Sequence, residues 1–314
     1  MKIQEKRESA IRKNDLMRKN KLHLYMMCTI PILLIFVFCY IPMFGAVIAF
    51  KDYNYADGIL KSPWAGLDNF KLIFAADSFK RAAVNTIVLN ALFITVSFIC
   101  ALSLAIIMYE TVGKKRIKMY QTVLILPNFM SWVVVGYMLY GFINPEYGIL
   151  NSFLEKIGVQ KIQWYSKPGI WPLILTAATV WKNIGMDMIL YYAALMGIDS
   201  QLTEAAEIDG AGKLKTVWHI MIPSILHTII ITLILKIGGI FRADFGLFYQ
   251  LTRNVSKLYP TTDVMDTYIF RALKTDGDIS VSSAAGLLQS CVGFVLVLLT
   301  NLIIRRIDDD YALF

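Results

Sequence analysis

Six long apolar stretches divide the chain, at residues 24–50, 83–109, 121–143, 170–196, 223–241 and 284–304. Each approaches or exceeds the ~20 residues that cross a hydrocarbon core of ~30 Å at ~1.5 Å rise per residue. Inside lipid no water meets a free N–H or C=O, and a single segment satisfies all its own backbone groups only as a helix. The pattern therefore predicts an all-α, polytopic membrane protein with six transmembrane helices. No large soluble domain, low-complexity tract or internal repeat stands out between them.

Composition agrees with the pattern. Of 314 residues, 57% are hydrophobic and 17% charged, against about a quarter charged in a soluble domain. The four cysteines, Cys28, Cys39, Cys100 and Cys291, all fall in apolar stretches without C-x-x-C spacing. They read as small apolar filler, with neither a disulfide framework nor a metal site expected. The net charge of +8 sits mainly at the ends of apolar stretches, which points to membrane orientation and not to nucleic acid.

That charge is uneven. The N-terminal segment, the turn with Lys114, Lys115, Arg116 and Lys118, the loop with Lys213 and Lys215, and the tail with Arg305 and Arg306 hold 16 Lys and Arg. The three loops of the other side, at 51–80, 144–169 and 242–283, hold 12 over a greater length. The bias places both termini in the cytoplasm. It divides the chain into a basic cytoplasmic segment at 1–23, a transmembrane domain at 24–306 and a cytoplasmic tail at 307–314. The first apolar run continues to Phe50 without a small-residue cleavage site and is expected to be a retained helix, not a cleaved signal. Trp64, Trp164, Tyr165, Trp171 and Tyr259 lie in the opposite loops and suit an interfacial aromatic belt.

The loop at 197–222 has a distinct chemistry. Glu204, Ala205, Ala206, Glu207, Ile208, Asp209, Gly210, Ala211 and Gly212 run in succession. Small residues allow close backbone approach, and Gly210 can take the left-handed conformation that turns one short helix into the next. Thr203 is a plausible N-cap. Val217, Ile220 and Met221 make an apolar stripe at helical spacing, and Pro223 suits the start of the next membrane helix. A helix–turn–helix knuckle results. By spacing alone it is either a plain connector or a piece that seats in a groove of another protein.

Glu204–Ala206, Asp209–Ala211, Ile220 and Pro223 together resemble the EAA loop of binding-protein-dependent ABC importer permeases of type I, which likewise lies before the penultimate helix. Trp218 stands where that family more often has Phe. Residues 49–53, 66–70, 85–86, 131–134, 263–268 and 284–287 are similar to the polysaccharide or lipopolysaccharide-type permeases of Gram-positive bacteria, which commonly import oligosaccharides. The resemblance covers most of the chain. It implies that Glu204, Ala205, Ala206, Asp209, Gly210 and Ala211 form a coupling helix in a cleft of an ATPase. It also implies two ATPase subunits, a homologous second permease, an extracellular sugar-binding lipoprotein and a carbohydrate cargo. Location in the plasma membrane of a Gram-positive bacterium follows from the same likeness.

The chain has no G-x-x-x-x-G-K-[ST] phosphate loop and no H-E-x-x-H motif, so the resemblance puts ATP and Mg in the partner ATPase, with no cofactor on this chain. His23, His219 and His227 are too scattered for a metal site. Polar groups inside the membrane are costly, and each is a candidate functional residue. Trp181, Asn183 and Asp187 lie in the fourth stretch, the last two on one face. Lys182 lies beside them, Lys236 lies in the fifth stretch, and Arg242 and Asp244 lie just beyond it. One reading is a buried ion pair of Asp187 with Lys182 or Lys236. The other is a wet cavity in which Trp181 stacks on a sugar ring while Asn183 and Asp187 bond its hydroxyls. Spare lysine charge would favour an anionic sugar. Asn85, Asn90, Asn128, Ser131, Gln289 and Asn301 are candidates for bonds between helices, and Trp132 for packing on lipid or a partner helix. A secondary transporter, or an importer permease for a non-sugar solute, remains the alternative.

Overall fold

The computed structural model describes residues 25–111 and 113–307. The basic segment at 1–23 and almost all of the tail at 307–314 lie outside them. The described residues are helical almost throughout, with one isolated bridge, Lys51 to Trp64, in place of any strand. Four helices are long and apolar enough to cross a bilayer: α1 (Tyr25–Phe50), α2 (Asp77–Thr111), α5 (Trp171–Leu195) and α11 (Ile279–Ile307).

The third and fifth stretches are not single straight helices. The third is α3 (Arg116–Phe129) followed, after a 94° bend, by α4 (Trp132–Ile143). The fifth is α7 (Lys213–Ser224) followed, after a 65° bend, by α8 (Leu226–Gly238). The count is thus four straight spans, or six if each bent pair is one span. Both bends have a proline at their root. Pro127 lies in the tight last turn of α3, and Ser131 caps the restart by accepting from the Val134 N–H at 3.4 Å. Pro223 does not begin the next helix as expected. The chain passes helically through it and breaks at Ile225. A wide turn at Val217–Met221, with the Ile222 N–H reaching back to Val217, absorbs the lost donor.

A helix bent inside a membrane strands carbonyls that water cannot reach. Here long polar side chains from neighbouring helices meet them. Lys182 of α5 donates to the carbonyls of Pro127, Asn128 and Met130 at 3.4, 2.6 and 2.7 Å. Asn90 of α2 donates to Ile240 and Arg242 at 2.7 and 3.0 Å, just past the end of α8. Gln289 of α11 donates to Phe241 at 3.0 Å. Asn85 donates to Asp263 at 3.0 Å and Asn128 to Asn183 at 3.0 Å. The expected interhelical amides thus act mostly on broken backbone. Ser131 is a local cap and bridges no helices.

Helix contacts are close where side chains are absent. A Cβ on Gly185 of α5 would collide with the Leu124 carbonyl oxygen, so α3 and α5 touch backbone to backbone. Trp171 is fully buried and donates its indole N–H to the Trp164 carbonyl at 3.0 Å. The aromatic belt therefore excludes Trp171: it packs with Phe248 and Leu251 in the core cluster at this end of the molecule. Burial pushes the neighbouring Tyr165 phenol up to about 12, so it remains a neutral donor to the Leu251 carbonyl. Beyond α8, α9 (Phe245–Thr252) and α10 (Met265–Lys274) complete the chain before α11. Asp263 pins α10 through Arg271 at 2.7 Å and Thr267 at 3.0 Å.

Candidate functional site

A cavity of about 380 Å³ opens between α2, α5, α8 and the start of α9. Asn183, Asp187, Lys236 and Asp244, all singled out from sequence, line it together. Helix geometry explains their meeting. Asn183 and Asp187 are one turn apart on α5, and Thr179 is one turn earlier on the same face. The Thr179 hydroxyl is buried and has no hydrogen-bond partner among the described residues. The four-residue spacing from Asn183 is the signal that could have found it.

Trp181 is not in the cavity. Two residues from Asn183, it projects ~200° around the helix, and it is 42% exposed on another face of α5. The aromatics that line the cavity are Phe93 of α2 and Trp132, the latter at the restart of the bent third stretch; the Trp132 ring is the one with a polar group. Its indole N–H donates to Asp244 Oδ2 at 2.5 Å, so it does not merely face lipid. Asp244 also caps α9, accepting from the Leu247 N–H at 3.3 Å.

The ion-pair question resolves in favour of Lys236, whose Nζ lies 2.5 Å from Asp187 Oδ2. Lys182 is committed to the three carbonyls at the α3–α4 bend and lies 5.3 Å from the Trp132 ring centroid. Neither lysine is spare, so the expectation of surplus lysine charge fails. The cation left over is Arg242, which lines the cavity and has no carboxylate within ion-pair distance among the described residues.

At the far end of α5 and α7 lies the knuckle. α6 (Ser200–Ile208) starts earlier than expected: Asp199, not Thr203, is its N-cap, accepting from the Gln201 N–H at 3.0 Å. Thr203 turns back onto the Ser200 carbonyl. The helix ends at Gly210, whose φ is +76°. The Gly210 N–H donates to Glu207 at 3.1 Å and the Ala211 N–H to Ala206 at 2.9 Å, the paired closure that a left-handed glycine permits. α7 follows within three residues.

Glu204, Ala205, Asp209 and Gly210 are exposed, Ala211 is half-buried, and Ala206 faces inward at 8% exposure. Around them Ile208, Leu214 and Trp218 are 86%, 76% and 65% exposed. Three large apolar side chains are thus left bare on a polar tip, a feature common at contact surfaces between proteins.

The pattern for the binding-protein-dependent transport system inner membrane component matches residues 72–311. Protein LplB of Bacillus subtilis is 33% identical over 91% of this chain and 90% of its own length. The polygalacturonan/rhamnogalacturonan transport system permease protein YteP of the same organism is 33% identical over 92% and 89%. A solved bacterial ABC transporter involved in the import of the acidic polysaccharide alginate superposes with a TM-score of 0.84 and 32% identity, over 92% of this chain and 97% of that one.

Proposed function

The chain belongs to the family of binding-protein-dependent transport system inner membrane components, and from that membership we propose how its cavity and its knuckle work as one device. It is a membrane-spanning permease subunit of an ABC importer for carbohydrate, and ATP hydrolysis resides in a separate subunit.

The reading rests on one observation: both arms of the knuckle join the helices that carry the ion pair through short connections. α5 bears Asp187 and leads through the turn at 196–199 into α6, while α7 bends by 65° into α8, which bears Lys236. A force on Gly210 and its neighbours therefore reaches both partners of the pair at once. In the proposed cycle an ATPase cleft grips Glu204, Ala205, Asp209, Gly210 and Ala211, with Ala206 as their internal support. Two ATPases act on two such knuckles, one from this chain and one from a homologous permease. Closure of the ATPases opens the cavity outward to take an oligosaccharide from an extracellular binding lipoprotein, and hydrolysis resets it. This arrangement has six spans, the knuckle and both termini in the cytoplasm, and the domain limits 1–23, 24–306 and 307–314.

The cargo we infer is an acidic oligosaccharide. Support comes from Arg242, whose fork of donors suits a sugar carboxylate, and from relatives that handle polygalacturonan and alginate. Asn183, the Thr179 hydroxyl and the free edge of Asp244 would meet hydroxyls.

Two outcomes test this. Mutating the phosphate-loop lysine of the partner ATPase should cut sugar uptake by at least about 100-fold; persistent uptake would return the secondary-transporter reading. Asp187→Ala and Lys236→Ala, each leaving a half-buried charge unpaired, should each lower uptake about tenfold or more. Normal uptake by both variants removes the pair from the pathway.

A further inference from the structure

α4 and α9 run side by side in matched register. A Cβ on Gly246 would lie 2.7 Å from Trp132 Cδ1, and a Cβ on Gly136 would lie 2.9 Å from the Gln250 carbonyl oxygen. Both contacts advance four residues, about 6 Å, along each helix. The first contact lies at the edge of the central cavity. Beside the second is a separate hollow of about 160 Å³ lined by Val133, Gly136, Tyr137, Tyr249, Gln250 and Arg253. Its chemistry is that of a carbohydrate contact: phenol rings for stacking, a primary amide and a guanidinium.

A second observation concerns Arg253 itself. It and Asn254 are the only non-glycine residues of positive φ among those described, at 54° and 52°. Ordinary side chains resist this conformation. Here it is held by the Tyr259 hydroxyl donating to Asn254 Oδ1 at 3.0 Å and by the Asn254 N–H donating to Thr252 Oγ1 at 3.3 Å. The turn ends α9 and lays the Arg253 guanidinium over the Tyr140 ring at 4.0 Å. No carboxylate lies within ion-pair distance of it among the described residues. Its N–H donors are therefore not spent on a carboxylate of this chain among the described residues, and a guanidinium fork suits a planar carboxylate. Strained backbone retained to place an unpaired cation is a mark of function.

We propose that this hollow is a second sugar subsite, one helical turn beyond the central cavity along the α4–α9 seam, which receives the next unit of an acidic oligosaccharide through Tyr137, Gln250 and Arg253. The proposal rests on the oligosaccharide-importer reading above. A helical turn is close to the length of one pyranose in a chain, so adjacent units can occupy adjacent hollows.

The test uses the reconstituted complex with its ATPases and binding protein. Uptake is measured with galacturonate, alginate and neutral glucan oligosaccharides of graded length, and the longest and shortest transported members of a series are compared. Tyr137→Ala and Arg253→Gln are expected to raise KM for the longest acidic member about tenfold, as the loss of one stacking face or one charge-assisted contact should. They should leave the shortest member within about twofold and sugar-independent ATP hydrolysis unchanged. Arg253→Lys should recover part of the loss, because it restores charge without the planar fork. Equal loss on long and short cargo assigns the hollow to packing or to the permease–permease contact and overturns the subsite. No change with either variant overturns it as well. If the unmodified complex transports none of the three series, the importer-of-oligosaccharide reading itself fails.

Discussion

Gly210→Pro is expected to abolish sugar-stimulated ATP hydrolysis while leaving the subunit in the membrane. The glycine sits at φ +76°, and proline is confined near −65°. Its N–H donates to Glu207 at 3.1 Å, a bond proline cannot make. The closure that stops α6 and starts α7 within a few residues is therefore lost, and with it the geometry that presents Asp209 and Ala211 beside the bare Ile208 and Leu214. Nothing in α5 or α8 depends on this turn for insertion, because each is apolar over its own length. A graded series separates geometry from chemistry. Gly210→Asn should keep most stimulation, since asparagine tolerates the left-handed region. Gly210→Ala should be intermediate, at a cost of about 1–2 kcal/mol. ATP hydrolysis by the reconstituted complex, with and without sugar-loaded binding protein, reads all three. Full stimulation with the proline variant would mean that the knuckle is not the point of force transfer.

What the residues alone disclose, and what they hide, follows from the range of the interactions. The knuckle was legible because its determinants are local: a run of small residues, one glycine and a helical stripe, all within a few turns. Asn183, Asp187 and Lys236 were legible because isolated polar groups in an apolar run are costly wherever they sit. The bend between α3 and α4 was not legible. Hydropathy averaged over 121–143 is the same for a straight helix and a broken one. Pro127 marks a weak point, but only Lys182, more than fifty positions away, makes the break tolerable by meeting its carbonyls. Trp132 packs on another helix, at Gly246 of α9, as expected, but its polar role was hidden for the same reason, since its partner Asp244 is over a hundred positions distant. The choice between the two lysines for Asp187 is one that helix geometry alone can make. Lys182 and Asp187 are five residues apart, ~140° around a helix, so they could not have paired on one face, and Lys236 was the sterically sound partner. The ~200° between Trp181 and Asn183 likewise argued against placing both in one cavity wall.

The break itself supplies the sharpest test of how the cavity is held. Lys182 is 8% exposed, and no carboxylate lies within ion-pair distance of it among the described residues. Two effects oppose each other there. Burying an ammonium costs several kcal/mol, which Lys182→Met would recover. The same substitution leaves the Asn128 and Met130 carbonyls without their donor, while the Pro127 carbonyl keeps the Met130 N–H at 3.1 Å. Hydrogen bonds to a charged donor contribute about 1.5–3 kcal/mol each, and a stranded carbonyl costs about 1–3. With two short bonds at stake and their carbonyls left stranded, the second effect should win. The consequence is not confined to stability. Asn128 meets Asn183 at 3.0 Å and Trp132 meets Asp244, so a shift of the α3–α4 bend moves two walls of the cavity together. Lys182→Met is therefore expected to lower the melting temperature of the purified complex by several degrees and sugar uptake by at least about tenfold. Lys182→Arg should rescue only partly, because a planar fork cannot converge on three carbonyls as a compact ammonium does. A methionine variant with unchanged melting temperature and uptake would show instead that water reaches the bend and supplies the missing donors, and the α3–α4 break would then be held by packing of Gly185 against Leu124 and by the Asn128–Asn183 and Trp132–Asp244 bonds.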